Sequence, residues 1–124
     1  MNQRSLERLK GVKQILIDIL IEASKNSPYN FEIPAFGGLR TAEDQNELFK
    51  KGVSKCDGFK NKSEHQKGTA FDIFLLIGGQ ASWDKDKLTK VARHIQEVAL
   101  DDFGVKLEWG GDWTKFVDMP HFQL

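Results

Sequence analysis

The sequence predicts an α+β fold, a small antiparallel sheet flanked by helices, on three observations. Two long stretches, residues 5–24 and DKDKLTKVARHIQEVALDDFG, place apolar residues at three- and four-residue spacing. Four shorter ones, FEIPAFGGLRT, TAFDIFLLIGG, VKLEWGGDW and FVDMPHFQL, read as extended segments punctuated by Gly-Gly pairs or proline. Helices and strands follow one another without the regular rhythm that builds a parallel sheet.

In the first stretch Leu6, Leu9, Val12, Leu16, Ile19, Leu20 and Ala23 form one stripe, with Ser5 as the expected N-cap and SKNSPYN as the stop. Ile15, Ile17 and Ile21 widen that face, which fits a packed helix better than one lying on a membrane. In FEIPAFGGLRT, Pro34 pushes a short strand to an edge. Thr41 then caps a helix, with Asp44 at its third position and Gly52 as its terminator. Residues 53–64 form a polar loop. TAFDIFLLIGG reads as one buried strand stopped by Gly78 and Gly79. A helix striped by Leu88, Val91, Ile95, Val98 and Ala99 follows, then a strand into a Gly-Gly turn and a last strand near Pro120.

At 124 residues the chain makes one domain, 1–124, with no internal repeat. Lys plus Arg equals Asp plus Glu at 18 each, so no global field steers the protein to nucleic acid or an anionic membrane. Asp18 interrupts the apolar ILIDILI run, which lacks the shape of a signal peptide and is too short to span a bilayer. The single cysteine, Cys56, excludes an internal disulfide and, in a polar loop, reads as a tolerated surface thiol in a reducing compartment.

Two of the three histidines sit near carboxylates. In SEHQKGTAFDI, His65 and Asp72 are seven apart, and Gly68 between them lets a loop histidine converge with a strand aspartate. Asp72 lies in an otherwise apolar strand, where its charge needs compensation. A metal or an arginine would compensate it, and so would backbone amides, and these readings stand side by side. Asp118 and His121 flank Met119 and Pro120, in a stiff extended segment that could supply a base and a ligand or simply a turn. Arg40 could hold a carboxylate or polarise a carbonyl, or pair with Glu43 or Asp44. Gln45 could orient Arg40 or touch substrate. Trp109 and Trp113 could wall a cleft or pack in the core. His94, in mid-helix, reads as a partly exposed helix histidine.

The order GGLRTAEDQNELFKKG, SEHQKGTAFDI, EWGGDWTKFVDMPHFQL resembles the zinc peptidases that cut peptidoglycan stem peptides. These include VanY-like D-alanyl-D-alanine carboxypeptidases and phage endolysins that are L-alanyl-D-glutamate endopeptidases. The likeness spans residues 31–124 and leaves the helix within 1–26 as the least diagnostic part. The SxHxxGxAxD pattern is met by Ser63, His65, Gly68, Ala70 and Asp72. The resemblance implies a fold shared with the Hedgehog signalling domain and Zn2+ held by His65, Asp72 and His121. It makes Asp118 the general base, Arg40 the electrophilic or carboxylate-binding group and Ser63 a substrate contact. Gln45 and Trp109 join Ser63 as expected substrate-binding residues. An aspartate in DMPHF favours the endolysin-like branch, whereas Leu39 departs from the family's aromatic before the arginine. The expected protein is an L-alanyl-D-glutamate endopeptidase acting as a phage or prophage endolysin. The alternatives are a D-alanyl-D-alanine carboxypeptidase and a non-catalytic zinc-bearing module that binds peptidoglycan. A monomer is expected, with the stem peptide as partner, no nucleic acid, no stable membrane insertion and no separate cell-wall-binding domain. Storage in the host cytoplasm until holin-dependent release follows the same reading.

Overall fold

A computed structural model describes residues 1–124. The elements in chain order are α1 (Gln3–Arg8), α2 (Gln14–Ser24), β1 (Asn30–Glu32), α3 (Ala42–Lys50), β2 (Ala70–Asp72), β3 (Phe74–Ile77), β4 (Gln80–Ser82), α4 (Lys85–Phe103), β5 (Glu108–Trp109) and β6 (His121–Gln123). Short 3-10 turns cover Glu64–Lys67 and Gly110–Asp112. The strands form two antiparallel sheets of three, ordered β1-β3-β4 and β2-β6-β5, rather than one. No helix is long and apolar enough to cross a membrane.

The expected first helix is two. Gly11, at φ +89°, takes the left-handed conformation that ends a helix, and residues 9–13 make an elbow between α1 and α2. The apolar stripe survives the break, because Leu9 and Val12 turn inward with Leu16, Ile19, Leu20 and Ala23. Ser5 is not the cap. Asn2 caps α1 by accepting from the Ser5 amide at 2.9 Å, and the buried Ser5 hydroxyl accepts from the Ile33 amide at 3.0 Å. The Thr41 hydroxyl caps α3 by accepting from Asp44, and Gly52 follows the end of that helix at φ +77°.

The elbow also braces the loops that carry the site. A Cβ on Gly38 would strike the Arg8 carbonyl, and one on Gly68 would crowd the Gly11 carbonyl. The Lys13 amide donates to the Gly68 carbonyl at 2.8 Å.

TAFDIFLLI is one extended run that serves both sheets. Phe71, Ile73 and Leu75 alternate onto the core face and are fully buried. Residues 70–72 pair with β6, and residues 74–77 pair with β1 and β4. At the switch point the Ile73 amide donates to the Pro120 carbonyl at 3.0 Å. In the register, Phe71 opposes Phe122 and Asp72 opposes His121. The phenylalanine rings stack with centroids 5.0 Å apart, a contact contributing about 0.5–1.5 kcal/mol beyond burial. The next register pair therefore faces the other way, so a sheet with an apolar back presents Asp72 and His121 on its front.

Candidate metal centre and active site

Three atoms converge on the front of that sheet. Asp72 Oδ1 lies 3.1 Å from His65 Nε2 and 3.1 Å from His121 Nδ1, and the two nitrogens are 3.1 Å from each other. His65 arrives from the 3-10 turn before Gly68, so the glycine does place a loop histidine over a strand aspartate.

The outer nitrogens fix the tautomers. His65 Nδ1 donates to the Gly38 carbonyl at 2.9 Å, since a carbonyl can only accept. Gln123 donates its amide N–H to Glu108, which turns its Oε1 toward His121 Nε2 at 2.8 Å. Both histidines thus present lone pairs inward, beside a carboxylate oxygen. Three acceptors facing one another need a shared positive charge, a proton or a metal ion. Ligands about 2.0–2.1 Å from a tetrahedral zinc lie roughly 3.3 Å apart, which fits the observed separations.

The second oxygen of Asp72 accepts from Arg40 Nη2 at 3.1 Å. Arg40 Nε donates to the Phe36 carbonyl and Nη1 to Gln45 Oε1, leaving two of the five guanidinium N–H groups uncommitted. Burial lowers the Arg40 pKa, opposed by the charges of Asp72 and Asp118. Burial alone would raise the Asp72 pKa. Unless a metal takes that place, protons shared inward from His121 and His65, together with their charges, hold it well below the usual carboxylate range. Burial would likewise lower that of His121, but its bond to Asp72 carries it above the ordinary value.

Asp118 lies in the same cleft, at the head of a turn closed by the His121 amide donating to its carbonyl at 3.1 Å. Burial pushes its carboxyl pKa up, and the neighbouring Asp72 charge adds to the effect. The cleft encloses about 830 Å³ and is also lined by Ser63, Cys56 and Trp113. The Ser63 hydroxyl oxygen is buried and has no hydrogen-bond partner.

Two expected substrate contacts lie elsewhere. Trp109 is a core residue, 3% exposed, with its indole N–H donating to the Met119 carbonyl and the Arg93 guanidinium over its ring. The alternation of β5 turns it onto the Phe122 side. The cleft wall is Trp113, tilted against His121 at 5.4 Å. Gln45 is fully buried and does not line the cleft. It holds Arg40 and also donates to Ser54 Oγ and the Cys56 carbonyl. Arg40 pairs with Asp72 rather than with Glu43 or Asp44. Cys56 is half-buried in the cleft wall rather than a surface thiol. His94 is half-buried on α4 and bonds the Ala23 carbonyl at 2.9 Å. The sequence reading overlooked Gln123, although its place two residues beyond His121 puts it on the same strand face.

Residues 1–123 match the family model described as phage L-alanyl-D-glutamate peptidase. The chain belongs to this family. L-alanyl-D-glutamate peptidases similar to it include that of Escherichia phage T5, 30% identical over 90% of this chain and 80% of its own. That of Listeria phage A118 is 30% identical over 75% of this chain and 30% of its own. The Bacillus subtilis (strain 168) peptidoglycan L-alanyl-D-glutamate endopeptidase CwlK is 32% identical over 70% of this chain and 57% of its own. The matched region thus spans less than a third of the Listeria phage relative. The crystal structure of Serratia marcescens L-Ala D-Glu endopeptidase ChiX superposes with a TM-score of 0.86 at 32% identity, covering 100% of this chain and 88% of that one. The α+β family fold is therefore the one adopted here.

Proposed function

We propose that this family member is a zinc metallopeptidase that hydrolyses the L-alanyl-D-glutamate bond of the peptidoglycan stem peptide. The observation that carries the chemistry is the convergence of two inward-facing imidazole lone pairs and a carboxylate oxygen at mutual distances of 3.1 Å. The substrate comes from the activity named for the relatives.

His65, Asp72 and His121 would hold the metal, and all three line the cleft. Zinc bound there supplies a nucleophile at neutral pH and a Lewis acid for the scissile carbonyl. Asp118 takes a proton from the attacking water and returns it to the leaving amine, so that one carboxylate serves as base and then acid. Arg40, anchored by Phe36 and Gln45, keeps Asp72 Oδ1 pointed at the histidines, and as a residue of the cleft lining it has two uncommitted N–H groups for the charge that develops on the substrate. Trp113 supports the substrate beside His121. Storage in the host cytoplasm until release to the wall accords with an endolysin.

Mass spectrometry of digested muropeptides tests the reading. Stem peptides cut after L-alanine, with free D-glutamyl amino ends and about one zinc per chain, are the expected result. Release of terminal D-alanine instead would make the protein a carboxypeptidase, and tight binding without cleavage a non-catalytic module.

A further inference from the structure

We propose that the cleft selects stem peptides whose glutamate keeps a free carboxylate, and that Lys55, Lys62 and Lys115 together with Ser63 read that charge. The inference rests on the function proposed above and names the form of substrate it takes.

The chain as a whole is neutral, yet its cleft is not. Arg40 and three lysines line it, against the carboxylates of Glu64, Asp72 and Asp118. A divalent metal on the triad adds two further positive charges. The lysines that form ion pairs in this molecule are Lys25, Lys50 and Lys67, all on exposed surface, and none of the three on the cleft is among them. Two of the cleft's own carboxylates are already engaged. Asp72 serves Arg40 and both histidines, and Glu64 accepts from Lys67 and Thr69. Unpaired cations are therefore gathered where a substrate lies.

Their placement is two-sided. Lys55 and Lys62 come from the loop before His65, and Lys115 from the segment before Asp118. Lys55 is held across the gap, its Nζ 5.2 Å from the centre of the Phe116 ring. Next to Lys62, the Ser63 hydroxyl lines the cleft, its oxygen facing the Gln66 amide in a capping box and its proton uncommitted, so that it can donate to an anion.

An L-alanyl-D-glutamyl bond sets the glutamate on the leaving side. Where the wall peptide continues through the glutamate side chain, the main-chain carboxylate stays free beside the leaving nitrogen. Amidation of that group removes the charge while nearly preserving shape, so a cationic rim distinguishes the two by charge.

The test measures kcat and KM of the zinc-loaded protein on two muropeptides that differ only in this carboxylate or carboxamide. The acid should be preferred by about tenfold in kcat/KM, through KM, with the preference shrinking as salt rises. Replacing all three exposed lysines (Lys55→Met, Lys62→Met, Lys115→Met) should abolish the preference, and the corresponding triple arginine variant should keep it. Equal kcat/KM on the two peptides overturns the proposal, as does a preference unchanged in the methionine variant. Cleavage of neither peptide by the zinc-loaded wild type overturns the function on which the proposal rests.

Discussion

Asp72 and Asp118 face one cleft, yet the protein treats their charges in opposite ways. Asp72 lies on a strand with one oxygen between two imidazoles and the other on a guanidinium, and those groups hold its pKa far below the usual range. Asp118 lies on a turn with no side-chain hydrogen bond of its own, and burial raises its pKa. A carboxylate fixed by cations is built to stay charged and bind a metal. One that stands in the cleft with no hydrogen bond of its own is suited to exchanging a proton. The surroundings divide the labour between two identical side chains.

The most severe way to break this comparison is Asp72→Ala. It removes a ligand and leaves Arg40 without its carboxylate partner, a loss of about 3–5 kcal/mol for a buried pair. Calorimetric melting should show that loss, and elemental analysis should show no stoichiometric zinc. Asp118→Asn should divide the two roles cleanly. Turnover should fall by about 10²–10⁴-fold while zinc stays at one per chain, and loss of zinc would make Asp118 a ligand instead.

Gln123→Leu is a gentler probe. With no acceptor for Nε2–H, His121 is free to adopt the other tautomer, and zinc affinity should drop about 10–100-fold in a competition titration. The smallest effect belongs to a third aspartate. Asp57 lies half-buried in a surface loop, and its pKa is lowered mainly by hydrogen bonds from the amides of Asn61 and Phe59, joined by that of Lys60. A folded value below the unfolded one means that its support of the loop is full above the unfolded pKa and fades as pH falls through the folded one. Amide protection factors at residues 59–61, corrected for the intrinsic slowing of exchange in acid, should therefore fall on acidification, and much less so in Asp57→Asn. That would show a low carboxylate pKa arising without any cation.

The contrast between Asp72 and Asp118 was partly legible in the chain. A charged residue inside FDIFLLI announces that something must compensate it, whereas the segment before His121, read as stiff and extended, is a turn closed from Asp118 to His121. The structure supplies the arginine, with Arg40 on one oxygen, and sets His65 and His121 against the other, where a metal could sit. What stayed hidden depends on long-range packing. Nothing local in TAFDIFLLI says that its halves join different sheets, because the alternation of Phe71, Ile73 and Leu75 continues through the switch. Trp109 and Trp113 flank the same two glycines, and only the pairing of β5 with β6 decides which enters the core. Gly11 lay inside a good helical stripe, and its role shows only once the elbow meets Gly68.

The register that sets Asp72 opposite His121 has a consequence for biosynthesis. Two of the three ligands lie 49 residues apart in sequence and become neighbours only when β6 docks beside β2. A nascent chain that has not yet reached residue 121 carries an incomplete chelate, however well its helices have formed. Metal capture is thus coupled to closure of the last strand, and free metal should draw that strand into place by mass action.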